Sequence, residues 1–341
     1  MRVSCPTPLP YPSGRRKRVV VFGGSGFIGT RLVSRLLHSG HEVVVGDIVR
    51  SASFPELTLI CDIRDARSVR EACRGADVIY NLAAVHRDDV RPRSLYHDVN
   101  VGGSCNICDA ADVLDIKSII FTSSVAVYGF SSDELDEGAS PAPFNDYGIT
   151  KLEAEGVYKA WFDKRLDRSL VIVRPTVVFG EGNRGNVFTL IDQIARNRFA
   201  LVGDGTNVKS IAYVENVAAF LEHVLGCEPG MRIYNYVDKP DYATRDLVRA
   251  IRRQFGRTGD GPRIPYILAA AVGAGCDAFA AASGQTLPFS RIRVQKFRSP
   301  SRFSAARAMA TGFVPPFSIA GALQRTVAHA IADARQPAHT T

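Results

Sequence analysis

The chain lacks an even, closely spaced set of cysteines. Its seven, Cys5, Cys61, Cys73, Cys105, Cys108, Cys227 and Cys276, are odd in number and scattered over 341 residues. That excludes the disulfide framework of a small secreted domain and fits reduced thiols in the cytoplasm. Cys105 and Cys108 form a C-x-x-C, but no second pair exists to complete a four-ligand zinc site. The pair falls in a stretch of helical spacing, where positions i and i+3 share a face, so it reads as helix packing and no metal is expected. An apolar leader core is missing as well. The first residues carry Pro6, Pro8, Pro10 and Pro12 among cations and hold no run of apolar residues. Residues 1–16 therefore read as a flexible basic leader and not as a secretory signal. No stable membrane insertion is expected either. The Ala-rich stretch Ile264–Gly284 has few charges, but Pro265, Gly273, Gly275 and Asp277 interrupt it, and Ala contributes little transfer energy. It reads as helix packed on a globular body, with a membrane-surface contact as the alternative.

Acidic residues are the scarcer charge, 34 against 42 Lys and Arg, for a formal net charge of +8. Five of those charges, Arg2, Arg15, Arg16, Lys17 and Arg18, lie ahead of or at the start of the first apolar run. The remaining body is nearly balanced and reads as having no basic stripe, which argues against a nucleic-acid partner. An apolar content of 46% with 22% charged residues excludes a chain disordered throughout. The length allows a large core and two domains.

What is present is an alternation of short apolar runs with helical patterns. Arg18–Phe22, Glu42–Val45, Leu57–Ile60, Val78–Tyr80, Ile116–Phe121 and Leu170–Val173 are apolar runs; Thr30–His38, Ala66–Cys73, Val101–Leu114 and Tyr147–Lys164 have helical spacing. Such alternation predicts a doubly wound α/β domain, a parallel sheet covered on both faces. It would span residues 17–174. Residues 175–330 would form a smaller substrate-binding portion, with about 208–236 returning to the first domain, and 331–341 a tail.

Gly23-Gly24-Ser25-Gly26-Phe27-Ile28-Gly29 follows the first strand and opens a helix. Glycines there permit a tight turn and close approach of backbone N–H groups to a pyrophosphate, and the helix N-terminus adds partial positive charge. Asp47 closes the second strand, 18 residues after Gly29. A carboxylate there accepts from the adenosine ribose and repels a 2′-phosphate, which favours NAD over NADP. Arg50 keeps NADP open as the alternative. Asp62-Ile63 follows the third strand, where it meets the adenine edge or caps a helix. Tyr147 and Lys151 are four apart on a helix and share a face. A free phenol, with a pKa near 10, is too weakly acidic for a base at neutral pH, and a neighbouring cation lowers that value. Ser124, at the end of a strand 23 residues earlier, can hold the same substrate oxygen.

In ordered combination these motifs resemble the extended short-chain dehydrogenase/reductases, in the branch of nucleotide-sugar epimerases, dehydratases and 4-ketoreductases. The residues are G-G-S-G-F-I-G at 23–29, Asp62-Ile63, N-L-A-A at 81–84, Asn100-Val-x-Gly, F-T-S-S-V-A-V-Y-G at 121–129, Y-x-x-x-K at 147–151 and R-P-T-V-V-F-G at 174–180, then G-D-G at 203–205 and the run at 212–217. The similarity covers about residues 17–330. It implies that the Gly23, Ser25, Gly26, Phe27, Ile28 and Gly29 loop binds pyrophosphate, and that Asp47 takes the ribose. Asp62 and Ile63 would take adenine, Leu82, Ala83 and Ala84 would line the dinucleotide, and Asn100 would support that cleft. Tyr147 would be the acid/base, Lys151 would hold the nicotinamide ribose and lower the phenol's pKa, and Ser124 would align the sugar O4. Asn186, Lys209 and Arg291 would contact the nucleotide diphosphate.

The chain departs from the pattern at Val177, where many members have Asn, and at Lys209, where related epimerases often have Arg. No acid accompanies Ser124, against the Asp-Glu pair of the dehydratases. His86 follows the N-L-A-A run, where it either faces the nicotinamide end or is a polar loop residue. The resemblance implies an NAD-dependent 4-epimerase of a UDP-hexose or UDP-N-acetylhexosamine, cytoplasmic and homodimeric. A 4-keto nucleotide-sugar reductase of surface-polysaccharide precursor synthesis uses the same three catalytic residues and stays open. An inactive NAD-binding sensor on the same fold is the third reading.

Overall fold

The computed structural model describes residues 15–87, 90–283 and 301–335. Most of the basic leader and Arg291 lie outside the described residues. The chain divides into two units. The first comprises the residues up to Thr122, Glu153–Ile172 and Ala218–Arg232. Its strands are β1 (Arg18–Phe22), β2 (Glu42–Asp47), β3 (Thr58–Ile60), β4 (Val78–Asn81) and β5 (Ser118–Thr122). With β7 (Ser169–Pro175) and β11 (Gly230–Tyr236) they form a seven-stranded sheet of order β11-β7-β5-β4-β1-β2-β3. The pairs from β3 to β5 run parallel. β1 shows why: Val19, Val20, Val21 and Phe22 are wholly buried, as apolar strand residues are when helices cover both sheet faces.

Helices α1 (Phe27–His38), α2 (Ala66–Ala72), α3 (Ser94–His97) and α4 (Gly103–Val113) connect the strands. Strand order reverses between β1 and β4. That reversal opens a crevice at the carboxyl ends of the two strands, the place where α/β sheets bind ligands. The doubly wound parallel sheet expected from the sequence is therefore present.

The second unit comprises Ser123–Leu152, Val173–Val217 and the chain from Ile233. It holds a three-stranded sheet of β8 (Val177–Phe179), β10 (Val208–Tyr213) and β12 (Asp238–Ala243), with β10 central. β10 is parallel to β8 and antiparallel to β12. Two small parallel pairs join β9 (Leu201–Val202) to β13 (Arg263–Ile264), and β6 (Glu134–Leu135) to β14 (Arg302–Phe303). Helices α6 (Asn186–Ala195), α8 (Thr244–Gln254) and α9 (Tyr266–Ser283) lie between these strands in sequence. α5 (Asp146–Asp163) and α7 (Val214–His223) complete the elements named here.

One expected helix is not regular. The stretch read as Val101–Leu114 begins inside a π turn at Asp98–Gly102, and α4 starts only at Gly103. The extra residue in the turn re-aims Asn100, a common use of π turns at functional sites.

Candidate active site

In the first unit, β1 ends at Phe22 and the chain turns at Gly23, whose φ is +76°. A Cβ on Gly23 would lie 2.6 Å from the Ala83 nitrogen and 2.8 Å from the Leu82 carbonyl carbon, so no side chain fits. Gly26 donates to the Gly23 carbonyl at 3.1 Å and closes the turn. Gly26 is also the residue before α1, and it offers no side-chain cap; no acid stands in the first turn. The α1 N-terminus thus keeps its positive end for an external anion.

Asp47 sits beside the loop. Its Oδ2 accepts from the Ser25 N–H at 3.0 Å and its Oδ1 from the Val49 N–H at 3.2 Å. Ser25 Oγ donates to the Val49 carbonyl at 2.8 Å. The Arg50 guanidinium donates to the Pro55 carbonyl at 3.1 Å and so belongs to its own loop. The cradle, the uncapped helix end and the nearby carboxylate together fit a dinucleotide.

Leu82, Ala83 and Ala84 are half-buried after β4. Two residues brace this segment. Asn81 accepts from the Ala83 N–H at 3.0 Å and donates to the Tyr158 hydroxyl at 2.8 Å. Asn100 brackets Val85, accepting its N–H at 2.8 Å and donating to its carbonyl at 3.0 Å. Sequence reasoning misses Asn81 as a site residue, although it begins the N-L-A-A run. Ile63 is buried, and its carbonyl accepts from Asn106 at 2.9 Å. The Asp62 carboxylate is gripped by two guanidinium nitrogens of Arg64, which holds its pKa below the ordinary carboxylate value. His86 is exposed.

The second unit holds Ser124, Tyr147 and Lys151. Ser124 caps the short 3₁₀ turn Val125–Tyr128, its Oγ accepting from the Ala126 N–H at 3.1 Å. Tyr147 stands in the first turn of α5, which Asn145 caps by accepting from the Gly148 N–H at 2.9 Å. A Cβ on Gly148 would lie 2.6 Å from the Ala126 carbonyl oxygen, so α5 and the 3₁₀ turn touch backbone to backbone. That contact brings Tyr147 and Ser124 into a side-chain hydrogen bond. Lys151 follows one turn later and is buried.

Burial pushes the Tyr147 phenol above 10, and the Ser124 hydrogen bond only partly offsets it. This corrects the expectation of a lowered value: in the protein alone, desolvation of the phenolate wins. Below the pair, Val127 and Tyr128 join a core with Val237, Phe303 and Ala305. The Tyr128 hydroxyl donates to Asn235 at 2.9 Å and accepts from the buried Arg174 at 2.6 Å. This platform joins residues more than 40 positions apart and left no local signal in the sequence.

The substrate-side residues are less concentrated. Lys209 lies half-buried on β10, where burial lowers its ammonium to about 8. Next to it, Val208 lines a cavity of about 350 Å³ with Val202, Gly203, Asp204, Asn207 and Arg302. Arg302 belongs to none of the motifs read from the sequence. Asn186 is exposed at the start of α6 and is not among the cavity's lining residues. Val177 is exposed on β8. Among the described residues no group of His, Cys, Asp and Glu could hold a metal ion.

Residues 19–235 match the NAD dependent epimerase/dehydratase family. N-acetyl-alpha-D-glucosaminyl-diphospho-ditrans,octacis-undecaprenol 4-epimerase of Escherichia coli O157:H7 is 41% identical over 320 residues, 93% of this chain and 96% of that protein. UDP-glucose 4-epimerase of Vibrio cholerae is 27% identical over 69% of this chain and 75% of its own length. The Thermus thermophilus UDP-glucose 4-epimerase, solved in complex with NAD, shares the fold. Its TM-score is 0.72 at 22% identity, over 92% of this chain and 99% of that one.

Proposed function

Since the chain belongs to the NAD dependent epimerase/dehydratase family, we propose that it is an NAD-dependent 4-epimerase of a sugar carried on a diphosphate. UDP-hexoses and UDP-N-acetylhexosamines are such sugars. The Ser124–Tyr147 pairing, with Lys151 buried one turn on, supports oxidation and reduction at C4, and the observation that favours epimerisation over one-way reduction is the 41% identity with the Escherichia coli 4-epimerase.

NAD would supply the acceptor that takes a hydride from C4 and gives it back. Ser124 would hold O4. Tyr147 would accept the O4 proton as the C4–H bond breaks and return it when that bond reforms on the other face. Hydride and proton both come back, so nothing is oxidised overall. The Lys151 ammonium, desolvated in the helix, would favour the phenolate and offset the burial that opposes it. The Gly23–Gly29 loop and the α1 N-terminus would hold the pyrophosphate, Asp47 the ribose, and Leu82, Ala83 and Ala84 the dinucleotide wall. Lys209 and Arg302 would meet the sugar diphosphate. No acid stands beside Ser124 to assist loss of water, which argues against 4,6-dehydration.

The test is incubation of purified protein with UDP-N-acetylglucosamine or a polyprenyl-diphospho-N-acetylglucosamine while following nicotinamide absorbance. We expect an equilibrium of 4-epimers with no net change in absorbance. Stoichiometric consumption of NAD(P)H on a 4-keto sugar would show a reductase instead. A polyprenol carrier in place of uridine is the second reading of the substrate, favoured by the 41% identity with the Escherichia coli enzyme.

The NAD preference rests on Asp47. Replacing it by Ser removes the charge that repels a 2′-phosphate. The ratio of NAD to NADP affinity is expected to fall at least about tenfold, the effect of losing roughly 1.4 kcal/mol of discrimination. Titration of each cofactor by fluorescence would measure it, and an unchanged ratio would remove Asp47 from the ribose site. The cytoplasmic, homodimeric state remains part of this reading, with α4 and α5 as the dimer helices; light scattering on the purified chain tests the dimer.

A further inference from the structure

We infer that Lys239 is a positioning residue for the substrate cavity: by occupying Glu134 it leaves the Arg302 guanidinium without a counter-ion, so that Arg302 can receive the diphosphate. The inference deepens the reading of the substrate as a diphosphate-linked sugar and rests on that reading for its purpose.

The backbone holds Arg302 from two sides. On β14 it pairs in register with Glu134 of β6, and Phe303 pairs with Leu135. On the other side the Ser301 N–H donates to the Val208 carbonyl at 3.0 Å, and the Ser301 carbonyl accepts from the Ser210 N–H at 2.7 Å. The buried Ser210 hydroxyl accepts from the Phe303 N–H at 3.0 Å and donates to Asp241 Oδ1 at 2.7 Å. Both neighbours of Arg302 in the chain are thus bonded to β10, the strand that carries Lys209. A residue fixed in this way has little backbone freedom left to lose when a ligand arrives.

Its side chain is uncommitted. Arg302 is exposed and lines the cavity of about 350 Å³, and among the described residues its guanidinium has no hydrogen bond and no ion pair. A carboxylate nevertheless stands beside it. Paired strands lie about 4.7–4.9 Å apart, which makes Glu134 the cross-strand neighbour of Arg302. The Lys239 hydrogen bond, and after it the charges of Lys239 and Arg302, hold the Glu134 carboxyl below its ordinary value.

Lys239 decides which cation Glu134 serves. Its Nζ donates to Glu134 Oε1 at 2.7 Å and to Asp241 Oδ2 at 2.8 Å. Asp241 is the carboxylate that accepts from Ser210. The contacts close a circuit: Arg302 and Phe303 on β14, Ser210 on β10, Asp241 and Lys239 on β12, Glu134 on β6, and so back to Arg302. Two carboxylates share one ammonium, and the guanidinium stays outside the pairing. A guanidinium without a carboxylate partner keeps its fork of donors for the oxygens of a phosphate. Asp204 is the one acid among the cavity's lining residues. Its Oδ1 is turned into its own loop, accepting from the Thr206 N–H at 3.1 Å and from the Thr206 hydroxyl at 2.9 Å. Ser132 and Asn207 add side-chain donors to the same wall.

The experiment is calorimetric titration of inorganic pyrophosphate into the full chain saturated with NAD, so that the cofactor's own pyrophosphate site is filled. Arg302→Gln is expected to weaken binding at least about tenfold, as loss of a charge-assisted hydrogen bond does. Lys239→Met releases Glu134 to pair with Arg302 and is expected to weaken binding about three- to fivefold, the scale of a partly exposed ion pair. Glu134→Gln is expected to tighten it by a similar factor, and the Lys239→Met, Glu134→Gln double variant to return to wild-type affinity or better. A circuit that only supported the fold would show the opposite pattern: each single change would weaken binding and the double change would weaken it further. Added salt should shrink all of these differences. In turnover of UDP-N-acetylglucosamine or a short polyprenyl-diphospho-N-acetylglucosamine, KM should follow the same pattern for Lys239→Met and Glu134→Gln, with kcat within about twofold. A Lys239→Met defect that Glu134→Gln does not rescue overturns the inference. So does an unchanged affinity in Arg302→Gln, or a wild-type protein that binds no pyrophosphate. The expected binding pattern without turnover of either sugar would support the inference and remove the epimerase reading. Turnover without the pattern would do the reverse.

Discussion

Replacing Tyr147 by Phe is expected to lower kcat by about 10²–10⁴-fold, the range for loss of a positioned acid/base. Cofactor affinity should stay within about threefold, because the ring and its packing remain. The reason lies in the pairing of two opposed effects. Burial holds the phenol above 10 and keeps it protonated at neutral pH. Ser124 acts in the other direction, and in the proposed mechanism the Lys151 cation and the positive charge of bound NAD would add to it. The wild-type rate should therefore rise with pH as the phenolate becomes populated, and the residual rate of the variant should lack that rise. Ultraviolet titration, wild type minus variant, would show the phenol's midpoint falling when NAD is added. A Tyr147→Phe enzyme with wild-type kcat would end the catalytic assignment.

Gly148→Ala is expected to have the second largest effect. The new Cβ would sit 2.6 Å from the Ala126 carbonyl oxygen and 3.0 Å from Asn145 Oδ1. Neither the 3₁₀ turn nor the α5 cap can yield without moving, because Ser124 and Asn145 are themselves hydrogen-bonded there. Overpacking of this kind costs about 1–3 kcal/mol. The larger consequence is for the reaction: a displacement of about 1 Å between Ser124 and Tyr147 lowers the rate by about 10²-fold. Gly156 provides the control. It lies in the same helix with nothing within 4 Å of its would-be Cβ. Gly156→Ala should stabilise the protein by roughly 0.5–1 kcal/mol and leave kcat unchanged. Equal rates for the two variants would show that the α5 contact does not set the Ser124–Tyr147 distance.

Motifs whose parts are close in sequence were legible. The glycine turn, Asp47 at a strand end and the Tyr147–Lys151 spacing each follow from local geometry, and the sheet follows from apolar runs separated by helical ones. What was not legible depends on contacts made at long range. Tyr128, Arg174 and Asn235 converge only once the second unit is folded. β12 has the sequence Asp-Lys-Pro-Asp-Tyr-Ala, with no apolar alternation; its pairing with β10 makes it a strand. Arg302 reaches the cavity because β14 pairs with β6. The direction of the Tyr147 pKa is not legible either, because spacing reveals a nearby cation but not the burial that raises the phenol.

The π turn at Asp98–Gly102 makes chain length itself a determinant at this point. Successive helical residues are rotated by about 100°. Deleting one residue between His97 and Gly103 would restore a regular helix and turn everything before it by that angle relative to α4. Asn100 could then no longer bracket Val85, even if its side chain were untouched. Substitutions around it should be tolerated far better than a single deletion, so the segment is fixed by phase more than by composition.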